Sequence, residues 1–413
     1  LAMVISVWAQ QNKGISFEHG ISWQQVKAKA KAEKKFIFID VFATWCGPCK
    51  WMDGNTYTTE KAGIFMNDRF INVKVQADSS KNDNEEVKSW YATSRQFMNE
   101  YKINAFPNFL YFDPNGKLVH QFSGVLDDSM LIVISKNALN PGKQYYTLEE
   151  RYKKGKLEYA EMPYLAKSAS YLNNIAFAKE VADNYINNYL FTLKKDDLFT
   201  ADNLAFIARF LGDKDSRSFK LFSQNTSEVN AILGADQAQY AMKSFIAKNY
   251  IPGEQEQKAT KPNWDVLEKT ITATFGAIGQ ETVYGYRMLY HMDKKEWEAF
   301  GKYYVSYFQL ALKRPDFDVN NLSWPLFENV TDKKVLEYAC VVMKYAMENW
   351  YQTNAPAYDT YANLLYKAGK KSEAIEWQEK AVKMAKGTPY EKENIEHLVR
   401  MRNDQPTWPV AGK

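Results

Sequence analysis

The apolar run Phe36-Ile-Phe-Ile-Asp-Val-Phe-Ala43 is followed, after Thr44, by Trp45-Cys-Gly-Pro-Cys-Lys50. The run reads as a central strand buried on both faces, broken only by the charge of Asp40. The cysteine pair comes directly after it and opens a helix. Gly47 and Pro48 make the turn, and proline suits a first helical turn because its missing N–H has no partner to lose there. A buried strand handing over to a helix points to an α/β architecture.

The position of the pair dictates its chemistry. A thiol at a helix N-terminus faces unpaired backbone N–H groups and the positive end of the helix dipole, which favours thiolate over thiol. Cys46 is then the exposed nucleophile. Cys49, one turn further in, can attack a mixed disulfide on Cys46 and release the partner. A static structural bridge and a metal clip are the other readings of such a pair, although a clip needs two more ligands. Cys340, alone in the apolar segment Tyr338–Met343, reads as an inert core thiol. The four histidines His19, His120, His291 and His397 form no ligand spacing, so no metal site or cofactor is expected.

The surrounding pattern alternates helix and strand. Trp23–Lys35 predicts a helix with Ser22 as N-cap, and residues 58–70 a second. Ile71–Gln76 predicts a strand, and Asp83–Lys102 a long helix with Trp90 or Tyr91, Ser94 and Phe97 on its inner stripe. Asn108–Phe112 and Lys117–Phe122 form a hairpin about Asp113-Pro-Asn-Gly116. Asp127–Leu139 closes the unit, and Asn140-Pro-Gly142 marks a boundary, giving a first domain over residues 14–140. At 413 residues the chain has room for two to three domains.

From residue 141 to 413 the pattern is all-α, with breaks at Gly155, Gly212, 249–253 and Gly369. Near 355–386, Tyr358, Tyr361, Ala362, Leu365, Gly369, Ala374 and Ala381 fall at the offsets of a tetratricopeptide repeat. No clean period extends through the region. An irregular helical-repeat array, or a non-repetitive helical domain, follows.

Residues 36–124 resemble a thioredoxin-fold oxidoreductase, a mixed central sheet flanked by helices, and Trp-Cys-Gly-Pro-Cys-Lys is that family's active-site string. The resemblance implies further roles. Asp40, six residues before Cys46, matches the buried carboxylate that helps deprotonate the resolving thiol, and Lys74 matches the lysine that modulates it. Phe106-Pro107 matches the cis-proline loop, which packs on the sulfurs and offers backbone to the substrate. Trp45, Gly47, Pro48 and Gly124 border the same groove. Asn108 stands where threonine usually follows the proline. The stretch is also similar to the reducing domain of periplasmic disulfide-exchange proteins, implying protein disulfide substrates and a membrane-linked electron donor.

Charge and ends complete the picture. A net charge of +4 with an isoelectric point near 8.5 is no footprint for nucleic acid. Leu1–Ala9 followed by polar Gln10–Lys13 resembles the last part of a signal peptide with a V-x-A cleavage step, implying a periplasmic or secreted protein. The expectation is a secreted thiol–disulfide oxidoreductase that reduces protein disulfides, with a protein partner on its helical region. Two alternatives stay open: a helical scaffold on a thioredoxin-like platform of little turnover, or an oxidase or isomerase.

Overall fold

In the computed structural model, which describes residues 14–409, the run from Phe36 is strand β1 (Phe36–Phe42) at the interior of a four-stranded mixed sheet. The strand order is β2-β1-β3-β4, with β2 spanning Phe70–Gln76, β3 Asn108–Phe112 and β4 Leu118–Ser123. β1 runs parallel to β2 and antiparallel to β3, and β3 pairs antiparallel with β4. The signal-like segment 1–9 lies outside the described residues. Two compact units divide between Leu193 and Lys194.

Local chemistry sets the elements of the first unit. Ser22 and Gln25 form a capping box on α1 (Trp23–Glu33). Helix α2 (Gly47–Asn55) follows β1, and Thr59 caps α3 (Glu60–Arg69), which starts two residues later than the residue pattern alone places it. Asn84 caps α4 (Glu85–Glu100), which buries Trp90, Ser94 and Phe97. Asp113 accepts from the Asn115 and Lys117 N–H groups and so closes the β3–β4 hairpin, with Gly116 at φ +83°. Asp127 caps α5 (Asp128–Leu139).

Alternation along β1 sends side chains into two separate cores. Ile37, Ile39 and Val41 pack with Val26, Val73, Trp90 and Phe97 on the α1 and α4 side. Phe38 packs with Met52, Met66, Phe109, Tyr111 and Leu131 on the side of α2, α3 and α5. Asp40, two residues beyond Phe38, falls on that second face.

The first unit continues past Asn140 into α6 (Tyr145–Lys153), α7 (Met162–Tyr171) and α8 (Ile175–Asn188). The Tyr145 N–H donates to His120 Nδ1 at 3.0 Å, and the Phe122 and Tyr171 rings lie 5.5 Å apart. Helices α6 and α7 thereby pack on edge strand β4, a position where unpaired strand otherwise invites association. The compact unit is thus longer than the 14–140 stretch marked by Asn140-Pro-Gly142.

The second unit is helical, with no strand among its described residues. Helices over Ala355–Lys367 and Lys371–Ala385 pack on one another, burying Ala362, Ala374 and Ala381 completely and setting Tyr361 against Trp377 at 5.0 Å. Cys340 is buried in the helix Lys333–Asn349, where burial pushes its thiol up to about 12. Among the described residues, no helix of either unit is long and apolar enough to cross a membrane.

Candidate active site

β1 delivers the chain to the end of the sheet, and Cys46 is the N-cap of the helix that starts there. Its Sγ accepts from the Cys49 N–H at 3.1 Å, and the two cysteines are joined in a disulfide. Gly47 and Pro48 are already the first turn of α2, not a separate turn before it. The pair packs with Ala43, Phe42 and Phe106.

Cys46 is not exposed as the sequence reading has it. It is 3% accessible, packed with Ala43 and Cys49 and covered by Phe42 and Phe106. Exposure belongs to Trp45 instead, at 71%, whose ring meets Phe106 edge-on at 5.9 Å.

The Phe106–Pro107 peptide bond is cis. The Pro107 carbonyl accepts from the Gly124 N–H at 3.1 Å and the Ser123 hydroxyl at 3.3 Å, so the end of β4 straps this loop in place. Gly124 has φ +127°, a conformation a side chain would strain.

Below the disulfide lies a charge cluster. Asp40 is fully buried, and in the parallel register it stands opposite Lys74, whose ammonium is 3.8 Å from its Oδ2. Burial pushes Asp40 up from an ordinary 3.8 to about 6, against the pull of Lys74. Its Oδ1 has no hydrogen-bond partner. The neighbouring Tyr57 hydroxyl is likewise buried without a close hydrogen bond, yet it lies near enough to Asp40 for the two to interact, and burial, reinforced by the Asp40 charge, holds its pKa well above 10. Phe42 joins the two halves of the site: it packs on the cysteine pair, and Lys74 Nζ lies 4.7 Å from its ring centre.

Sequence reasoning missed two members. Lys74 donates a hydrogen bond to Asp53 on α2, a closer partner than Asp40. The available signal was spacing: Asp53 lies four residues after Cys49, on the same helix face. Tyr57 had none, since it enters from the loop after α2 through tertiary packing.

The sheet order, the cis-proline loop and a disulfide at the mouth of α2 define a thioredoxin-like domain, and residues 23–137 match the family model of that description. The chain is 32% identical over 116 residues to the thioredoxin H-type of Fagopyrum esculentum, covering 28% of this chain and 84% of that protein. The chain belongs to the thioredoxin family. It is also 33% identical over 113 residues, 27% of its length, to the chloroplastic thioredoxin Y of Oryza sativa subsp. japonica, of which it spans 56%. A third similarity, 26% over 118 residues, is to the thiol:disulfide interchange protein DsbD of Campylobacter jejuni (strain RM1221), covering 29% of this chain and 19% of that protein.

Proposed function

We propose that the protein carries out thiol–disulfide exchange on polypeptide disulfides, in the direction of reduction. The observation that carries this reading is the disulfide between the N-cap cysteine of α2 and Cys49, set beside the cis-proline loop. The Cys46–Cys49 disulfide is the form that one reductive turnover would leave.

In the reduced enzyme the Cys46 thiolate, stabilised by the Cys49 N–H, attacks one sulfur of the substrate disulfide. A mixed disulfide forms and the first substrate thiolate leaves. Cys49 then gives its proton to the Asp40 carboxylate and attacks Cys46 Sγ. The second substrate thiolate departs and the Cys46–Cys49 disulfide closes. Asp40 suits this role because an acid near 6 is mostly ionised at neutral pH yet takes a proton readily. Lys74 tempers its charge, while Trp45, Gly47, Pro48, Phe106, Pro107 and Gly124 border the groove that receives the substrate chain.

A donor dithiol must return two electrons per cycle. Likeness to the thiol:disulfide interchange protein supports a redox protein as that donor; that the donor is membrane-linked and the enzyme exported, periplasmic or secreted, is part of the proposal. The paired helices over 355–385 fit a tetratricopeptide-like unit, and a protein partner on the helical region is part of the proposal.

The reduction potential of the couple tests the direction. Equilibration against defined thiol buffers is expected to give a value near or below about −220 mV, whereas one above about −180 mV would replace the reductase with an oxidant or isomerase. Cys49→Ala is expected to accumulate mixed disulfides on Cys46 in an oxidised extract. Their absence would remove exchange activity altogether and leave the scaffold reading.

A further inference from the structure

The family's match ends at residue 137, yet the first helix beyond it reaches back to the cis-proline loop. Gln121 in β4 is 4% exposed and fully engaged. Its amide nitrogen donates to the Tyr101 carbonyl at 3.3 Å and to Asn108 Oδ1 at 3.0 Å. A carbonyl can only accept, so the Gln121 oxygen must face the other way, where the Tyr146 hydroxyl of α6 donates to it at 2.5 Å. Asn108, itself 3% exposed, directly follows cis-Pro107. A continuous hydrogen-bond chain, half-buried at Tyr146 and buried at Gln121 and Asn108, therefore runs from α6 to the residue after the cis proline. Each link left unmade would strand a buried polar group.

The same residues bound an open cleft of about 290 Å³, lined by Tyr101, Asn104, Gln121, Tyr145, Tyr146 and Asn174 among others. Its near wall, Tyr101 to Asn104, leads through Ala105 into Phe106 and cis-Pro107. Aromatic rings and amides share this lining with Glu100, Lys102 and Glu149, a mixture of flat faces, hydrogen-bonding groups and both charges that suits the backbone and varied side chains of a peptide.

We propose that this cleft is a second binding site for the polypeptide substrate, taking a segment that flanks the disulfide, and that the Tyr146–Gln121–Asn108 chain holds it in register with the cis-proline loop. The proposal rests on the exchange reading above and adds to it where the substrate extends. Tyr146 and Gln121 act as positioning residues. They discriminate only against substrates that lack a chain to place in the cleft.

The test compares a polypeptide disulfide, insulin, with a small aromatic disulfide, dithiobis(nitrobenzoate), in the full-length protein. Tyr146→Phe removes one hydroxyl and keeps the ring, while Asn174→Trp fills the cleft from an exposed position on its far side. Both variants are expected to raise KM for insulin about 5- to 10-fold, the size of one neutral hydrogen bond. They leave its kcat, the rate with the small disulfide and the reduction potential unchanged. Should Tyr146→Phe fail to fold, Asn174→Trp decides. An unchanged insulin KM, or equal losses on both substrates, overturns the cleft. A wild-type protein that turns over the small disulfide but not insulin also overturns it while leaving the exchange chemistry standing. No turnover of either removes both.

Discussion

Asp40 is held ionisable in the interior at a cost that its surroundings only partly offset. Its folded-state pKa of about 6 lies above its ordinary 3.8, so between those values the folded protein binds more protons than the unfolded one. Stability therefore falls as pH rises through this window, and the penalty is fully present above about pH 6. At about 1.4 kcal/mol per tenfold change in proton affinity it amounts to about 3 kcal/mol. Asp40→Asn is expected to raise the urea midpoint of the oxidised protein at pH 7, with the gain vanishing at pH 3.5, and to slow release of the mixed disulfide by Cys49. An equal gain at both pH values would argue against a charge effect. Cys340, buried and held near 12, is expected to resist alkylation at pH 8 in the native reduced protein while Cys46 reacts. Mass spectrometry of the labelled peptides checks this. A charge inside an otherwise apolar strand made Asp40 legible in the sequence, and the resemblance to the thioredoxin family picked out Lys74. Asp53 carried only the faint signal of its four-residue spacing from Cys49, and Tyr57 carried none, because their part depends on where α2 and the loop after it settle against the sheet.

At the scale of elements, α6 is anchored by its first residues to β4. His120 is fully buried, its Nδ1 accepts the Tyr145 N–H, and burial pushes its pKa down to about 3 from an ordinary 6.5. Here the unfolded chain binds the extra proton, so stability declines as pH falls from 6.5 toward 3, opposite in sign to Asp40. His120→Leu is expected to cost about 1–3 kcal/mol at pH 7, since the Tyr145 N–H loses its acceptor, and to flatten the acid limb of the stability profile. Urea titrations at pH 7, 5 and 4 read both effects. The strands and helices of residues 23–139 were nearly all legible, to within a few residues at their ends, because period and capping residues are local signals. The docking of α6 on β4 was not. Tyr145 and His120 are 25 residues apart, and neither residue alone announces the bond.

On the scale of the whole molecule, the structural division after Leu193 makes a specific forecast about truncation. A chain ending at Asn140 keeps every strand and the cysteine pair but uncovers the β4 edge, the His120 ring and Phe122. One ending at Leu193 keeps α6 to α8 over them. The longer fragment is expected to stay monomeric, to melt in urea as one cooperative unit and to exchange with dithiothreitol. The shorter is expected to have a lower midpoint and to associate, read by light scattering. Equal behaviour of the two fragments would mean that the helices after residue 140 contribute nothing to the first unit. By itself the sequence determined the order of elements, the strand-to-helix step that presents Cys46 and Cys49, and the all-α character of the later chain, because each is written in neighbouring residues. Only the tertiary structure decided that Cys46 is covered in the disulfide state, that Lys74 is shared between Asp40 and Asp53, and that the first compact unit ends at Leu193. Those outcomes are set by burial and by contacts between distant segments, where desolvation and geometry outweigh anything a local pattern records.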